Sequence, residues 1–323
     1  MVLSDLLVLT VFTFILYKSS EIVVENASKL SIFFGISKMA LGMILVAVST
    51  SLPELAISII SSVENHGGIA VGNVFGSNIS NILLILGLGA LLFGFEVEKS
   101  VLKDILLALA LTTIISVYII AHSMFYGNAL GLIEGIILLC LFIWFSFSIV
   151  SKKNPEFSDN NQKIKKIDAA NSFLWFFTGI IIVLLSSTFV VKSAVNLAAA
   201  LGIAQSFIGA TIIAVGTSLP ELSIDLQAIR KKHYGLAIGD ALGSNVANLT
   251  LVLGTAAVIH EIGINLSVFI AALLFAIIAN ITFLVFSIVK KRFDRKEGAM
   301  LIAIYVFYIV TIFILQAHDV LHN

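Results

Sequence analysis

Little of this sequence is charged: 12% of its 323 residues, against 59% that are hydrophobic, with a mean hydropathy of +1.09. A water-soluble domain of that composition would expose large apolar patches, so the chain reads as an integral membrane protein. Cysteine is almost absent, and Cys140 alone excludes an intrachain disulfide. No phosphate-cradling GxxxxGK[ST] loop occurs. The longest polar connection, KKNPEFSDNNQKIKKID (152–168), is too short for a soluble domain, so neither an ATP-hydrolysing nor a regulatory domain is expected. The apolar start lacks a basic n-region and a small-residue cleavage site, and reads as a first span and not a removable signal. Proline is scarce too, three in all, and two of them stand in STSLPEL (49–55) and GTSLPEL (216–222).

What is present is a series of apolar runs, each near the roughly 20 residues that a helix needs to cross a bilayer. Ten qualify, at about 4–27, 36–62, 69–94, 100–122, 129–151, 170–200, 206–229, 235–258, 264–290 and 298–317. The expected fold is an all-α integral membrane protein of ten helices. Seventeen of the 19 Lys and Arg fall in alternate connections: Lys29 and Lys38, Lys99 and Lys103, the five lysines of 152–166, Arg230 to Lys232, and Lys290 to Lys296. The positive-inside rule puts these loops in the cytoplasm and both termini outside. A compact chain without a regulatory loop suggests a multi-pass protein of a prokaryotic plasma membrane.

Shifted on itself by 167 residues, the sequence aligns 42–87 with 209–254 without a gap, and 21 of the 46 positions are identical. Chance likeness between apolar runs does not account for matched Thr, Ser, Pro, Glu, Asn and Gly in unbroken register. Five spans per half is odd, so the second half enters the membrane upside down relative to the first, a recurrent plan of secondary transporters. The expected organisation is a first five-helix repeat over 1–151, a cytoplasmic Lys-rich linker over 152–168, and a second, inverted five-helix repeat over 169–323.

The repeated stretches carry the chemistry. Pro53 removes a backbone donor and breaks its helix, which is expected to free carbonyls near Ala47 and Ala214 for a dehydrated cation. Thr50, Ser51, Thr217 and Ser218 add hydroxyls at the same level. Glu54 and Glu221 follow, and a carboxylate at membrane depth is normally buried against a counter-charge and functional. The bland alternative, a salt bridge to a buried lysine, is poorly served: only Lys18 and Lys192 lie inside spans, and both are expected near cytoplasmic ends where they can snorkel. GNVFGSNISN (72–81) and GDALGSNVAN (239–248) supply Ser77, Asn81, Ser244 and Asn248. Helix packing would explain Gly72, Gly76, Gly239 and Gly243, but not those polar side chains. With no His, Cys or Met in the set, the site suits hard ions such as Ca²⁺, Na⁺ or Mg²⁺ and argues against zinc or copper.

The duplicated TSLPE and GN-x-x-GSN motifs resemble the alpha-repeats of Na⁺/Ca²⁺ exchangers, within the cation/Ca²⁺ antiporter superfamily. The resemblance implies a core of broken helices 2, 3, 7 and 8 around a Ca²⁺ site flanked by Na⁺ sites, with spans 1 and 6 sliding across it. It also implies the ligands: the carbonyls of Ala47 and Ala214, the side chains of Thr50, Ser51, Glu54, Ser77, Thr217, Ser218, Glu221 and Ser244, and the amides of Asn81 and Asn248. Two departures stand out. Potassium-carrying relatives tend to have Asp where Asn248 stands, which argues against K⁺ dependence. Asp240 replaces the Asn that the first repeat has as Asn73; it either faces the site as a third carboxylate or is a hydrogen-bonded structural Asp. Asp225 lines an inner vestibule or solvates a helix end. His66 and His233 read as solvated loop histidines, and Lys18 with Glu21, like Lys192, as anchors of long spans.

Two close glutamates repel, and one Ca²⁺ or several Na⁺ can neutralise them in turn. If only a neutralised site crosses the apolar barrier, obligate exchange follows, so the expected function is Na⁺/Ca²⁺ antiport by alternating access. H⁺/Ca²⁺ exchange is the rival, although its proton-coupled relatives generally have an acidic residue near Ser77. A cation channel gains nothing from an inverted duplicated site, and no nucleophile–base pair suggests an enzyme. The expected partners are Ca²⁺, Na⁺ or H⁺ and the lipid bilayer, with no cofactor, nucleic acid or obligate protein partner.

Overall fold

A computed structural model describes residues 2–64, 67–126, 129–151, 166–200, 214–263 and 266–322. The first half contains helices α1 (Val2–Phe34), α2 (Lys38–Thr50), α3 (Leu52–Val63), α4 (Gly67–Leu92), α5 (Leu102–Tyr126) and α6 (Leu132–Val150). The second contains α7 (Lys166–Ala200), α8 (Ala214–Thr217), α9 (Leu219–Arg230), α10 (Tyr234–Ile259), α11 (Leu266–Val289) and α12 (Arg295–His322). Eight of the described helices are long and apolar enough to cross a membrane, and α2 with α3, bent by 47°, makes a ninth. The start of the expected seventh span lies outside the described residues, which pick it up at α8 and α9.

The sequence repeat is written into the helices. α3 and α9 begin and end 167 residues apart, and so do α4 and α10. The helix interruptions fall at Ser51 and Ser218, also 167 apart, with nearly the same backbone angles (φ −77°, ψ 8° and φ −90°, ψ 12°). Pro53 and Pro220 then occupy the first turns of α3 and α9, where a missing N–H costs no helical bond. α4 and α10 do not break. They pass through π-turns at Asn81–Leu86 and Asn248–Val252, a wide turn that often marks functional positions.

Two short ribbons join connections from opposite halves: β1 (Phe95–Glu96) pairs with β4 (Arg292–Phe293), and β2 (Ala129–Leu130) with β3 (Ile262–Gly263). α4 and α10 are the innermost spans, each 78% buried over its most apolar window, against 22% for α6 and α12. The outer helices turn large apolar side chains outward, among them Phe14, Ile114, Phe147, Leu185, Ile281 and Phe307, as a lipid-facing surface requires. α1 runs along α7 as a pair.

Glycine sets how closely α10 approaches α2. A methyl group on Gly239 would collide with the carbonyl of Met39, and one on Gly243 with that of Met43. For Gly72 and Gly76 the expected close approach does not appear among the described residues: nothing comes within 4 Å of a Cβ at Gly72, and only the Tyr308 hydroxyl, at 3.9 Å, at Gly76. The residues that the repeat sets opposite them, near 206–210, lie outside the described chain. Gly243→Ala is therefore expected to destabilise the protein by about 1–3 kcal/mol, since backbone must move to admit the methyl group. Heating detergent-solubilised protein and following its monodisperse fraction would measure this.

Candidate cation site

The interrupted helices bring the polar ends of α2, α3, α8 and α9 against the middles of α4 and α10. Glu54 and Glu221 sit at the starts of α3 and α9, 1% and 2% exposed, and Asp225 and Asp240 are fully buried. These four acids are the only charged side chains buried among the described residues; no lysine or arginine is. Glu54, Asp225 and Asp240 are charged neighbours of Glu221. Such a cluster is untenable unless something positive enters it.

The hydrogen bonds show what is taken and what is left open. Ser77 donates to Oε1 of Glu54 at 3.3 Å, and Asn73 donates to the Glu54 carbonyl at 3.2 Å and to Ser58 Oγ at 3.3 Å. Thr50 Oγ1 lies 3.2 Å from Oδ1 of Asp240 and 3.4 Å from Ser244 Oγ, which is itself 3.4 Å from the same carboxylate oxygen. Left without any donor are Oε2 of Glu54, Oε2 of Glu221, Oδ2 of Asp240, both oxygens of Asp225, the hydroxyls of Ser51 and Ser218, and the amide oxygens of Asn81 and Asn248. A buried polar atom without a partner is costly. Here such atoms converge, and all of them are oxygens.

The two amide oxygens are held open by a device that the motif reading missed. Asn78 Nδ2 donates to the carbonyl of Asn245 at 3.1 Å, and Asn245 Nδ2 returns the bond to the carbonyl of Asn78 at 3.0 Å. Asn81 Nδ2 then donates to Oδ1 of Asn245 at 3.0 Å, and Asn248 Nδ2 to Oδ1 of Asn78 at 3.1 Å. The four amides form a closed, two-fold clasp between α4 and α10. Because it consumes the NH₂ groups of Asn81 and Asn248, their oxygens must face the other way. The signal for this was present in the repeated GSN, where Asn78 precedes Asn81 by three residues on a helix.

Of the expected ligands, Thr50 and Ser244 meet at Asp240, Ser77 meets Glu54, Glu221 neighbours Glu54 and Asp240, and Asn81 and Asn248 belong to the clasp, while Ser51 and Ser218 are buried at the helix interruptions and Thr217 is half-buried at the end of α8. The Ala47 carbonyl is not freed as expected. α2 continues to Thr50, so that carbonyl accepts from the Ser51 N–H at 3.0 Å, from Thr50 Oγ1 at 3.2 Å and from Ser244 Oγ at 3.5 Å. Its repeat mate Ala214 opens α8. Asp225 does not solvate a helix end; its fully buried carboxylate lies against that of Asp240. At the same positions in the first half, Ser58 and Asn73 make a neutral hydrogen bond. His233 is half-buried, with Nδ1 2.8 Å from Lys38 Nζ, and burial followed by the charge of Lys38 holds its pKa below the usual histidine value. His66 lies outside the described residues.

The sequence matches the family model described as sodium/calcium exchanger protein over residues 4–150 and 171–314, which includes every element of the site. The chain belongs to the sodium/calcium exchanger family. Among its relatives, the sodium/calcium exchanger MaX1 of Methanosarcina acetivorans is 29% identical over 97% of this chain and 99% of its own length. The inner membrane protein YrbG of Escherichia coli is 34% identical over 80% of this chain and 81% of its own. A solved structure of the sodium-calcium exchanger NCX_Mj, soaked with 10 mM Na⁺ and no Ca²⁺, superimposes with a TM-score of 0.84 at 28% identity, covering 96% of this chain and 99% of that one. The chain is thus a multi-pass membrane transporter of the exchanger type, and not an enzyme.

If the clasp orients the amide oxygens, Asn78→Ala will cost about 1–3 kcal/mol, the usual toll for a buried donor left unsatisfied. It will also shrink the rise in melting temperature that added Ca²⁺ produces, although no oxygen expected to face the ion has been removed.

Proposed function

We propose that this protein exchanges Na⁺ for Ca²⁺ by alternating access at a site shared between Glu54 and Glu221. The observation that carries the reading is the set of buried oxygens without donors, gathered around acids for which the described core holds no buried base. Ca²⁺ takes 6–8 oxygen ligands from carboxylates, amides and carbonyls, which matches this donor set. A single Ca²⁺ bridging the two glutamates balances their charge. Separate Na⁺ ions can do the same from the flanking hydroxyls of Thr50, Ser51, Thr217, Ser218, Ser77 and Ser244 and the amides of Asn81 and Asn248. Each occupant excludes the other, and the empty, doubly charged site is the costly state, so transport in one direction is tied to return in the other.

The carbonyls of Ala47 and Ala214 join the ligand set when the neighbouring hydroxyls turn toward an ion. Asn73 fixes the backbone behind Glu54. The five spans on each side of 152–168 are taken as inverted repeats, with the lysine-rich connections in the cytoplasm and the termini outside, in the plasma membrane. The names of MaX1 and NCX_Mj agree with this choice of ions.

One observation favours a second reading. Asp225 and Asp240 are charged neighbours in the fully buried core, and two such carboxylates need a proton or a cation between them. That pair is a natural proton carrier for H⁺/Ca²⁺ exchange. Uptake of ⁴⁵Ca²⁺ into proteoliposomes separates the readings. An outward Na⁺ gradient is expected to drive uptake, an outward H⁺ gradient is not, and Glu54→Gln or Glu221→Gln is expected to abolish it. Uptake driven by H⁺ alone, and lost in Asp240→Asn, would transfer the coupling to the proton.

A further inference from the structure

The 167-residue register runs beyond the two motif blocks into the long helices α1 and α7, where SSEIVVE (19–25) matches SSTFVVK (186–192). The contacts that these two helices make on the core are unequal. α1 packs along α9: Ser20 and Ser223 hydroxyls meet at 2.6 Å, Gln227 donates to the Tyr17 carbonyl at 3.2 Å, and Arg230 reaches the hydroxyl and ring of Tyr17. Beyond them Lys231 binds Glu21 at 3.0 Å and Glu25 at 2.5 Å. α7 is the repeat mate of α1, and α3 that of α9. Among the described residues α7 has no comparable packing along α3. The face of α3 stays open accordingly: Ile60 is 56% exposed, whereas its mate Gln227, under α1, is 3% exposed.

The charged ends of this contact have mates as well, with both signs reversed. Glu25 corresponds to Lys192, which is exposed on α7, and Lys231 corresponds to Glu64, exposed at the end of α3. An ion pair therefore holds α1 on α9 at one end of the site, and the residues for an equivalent pair stand on α7 and α3 at the other. In a pair of inverted repeats, the second conformation has each half adopting the contacts that the other makes in the first. α1 and α7 pack side by side and can shift across the core together.

We propose that Lys231 with Glu21 and Glu25 is one of two alternating ionic latches, the other being Glu64 with Lys192, and that each closes the path on one face of the membrane while its mate is open. In the conformation described here the Lys231 latch is shut. With the lysine-rich loops in the cytoplasm, that is the cytoplasmic side, and the site is reached from outside between α3 and α7. This inference rests on the alternating-access reading above, but its test does not depend on whether Na⁺ or H⁺ is the ion exchanged for Ca²⁺.

Two double-cysteine variants made in a Cys140→Ala background test it: Glu25→Cys with Lys231→Cys, and Glu64→Cys with Lys192→Cys. Oxidation in native membranes, scored by protection from a large maleimide, is expected to join the first pair readily and the second slowly. Adding Lys231→Glu to the second variant puts a like charge against Glu21 and Glu25 and opens the first latch. It is expected to speed joining of the second pair on the order of fivefold, the scale of an exposed ion pair, and a further Glu25→Lys is expected to slow it again. The oxidised Glu25→Cys/Lys231→Cys protein should not exchange Ca²⁺ and should recover on reduction, which also establishes that it is folded. Joining of the second pair that is undetectable, or indifferent to Lys231→Glu, would overturn the proposal, as would undiminished exchange by the oxidised first pair. A wrong assignment of Na⁺ would appear only in the flux gradients and leave the cross-linking pattern intact.

Discussion

Four carboxyl groups buried together, with no buried lysine or arginine among the described residues, form the constraint around which this protein is built. An uncompensated carboxylate in a low-dielectric interior costs several kcal/mol, and close neighbours of the same sign raise that cost. The usual remedy, a permanent basic partner, would make the site useless as a carrier because it would never need an ion. Leaving the compensation to something that arrives from solution turns an electrostatic liability into a requirement for occupancy.

The rest of the core reads as consequences of that requirement. Helix interruptions at Ser51 and Ser218 set the two glutamates at the beginnings of new helices, so that each points inward from its own half. Amides that would otherwise satisfy one another completely are tied by their NH₂ groups only, so their oxygens remain available. Glycine at 239 and 243 lets α10 lie against the backbone of α2, which is how Asp240 and Ser244 reach Thr50. The halves are not copies in every respect: the positions of Ser58 and Asn73 in one are held by acids in the other, so the negative potential is skewed toward the second half.

Much of this was legible in the sequence, for identifiable reasons. Hydropathy marks the spans because a lipid-facing helix has no other way to be stable, and the repeat marks the site because apolar drift does not preserve TSLPE twice. Glu54, Glu221, Ser77, Asn81 and their mates followed from that alone. Asn78 and Asn245 did not, because an amide three residues from another becomes a clasp only once the phase and separation of two helices are known. The Ala47 carbonyl was harder to read for a related reason: proline two residues past Ser51 spoils a bond further along, so the turn containing Ala47 stays intact and its carbonyl keeps the Ser51 N–H. Asp225 looked like a helix-end residue because nothing local reveals that Asp240 lies across from it. Lys18 and Glu21 do pair, at 3.2 Å, yet Glu21 also binds Lys231, more than two hundred residues away.

The reversed charges at positions 25 and 192, and at 64 and 231, bear on how such a chain can arise from a duplicated segment. Two unchanged copies of the first half would set glutamate against glutamate at both places, and two copies of the second would set lysine against lysine. Neither product could hold itself shut on either side. For the proposed latches to form as they stand, the two copies must carry opposite signs at these positions, and neither half can then be replaced by the other.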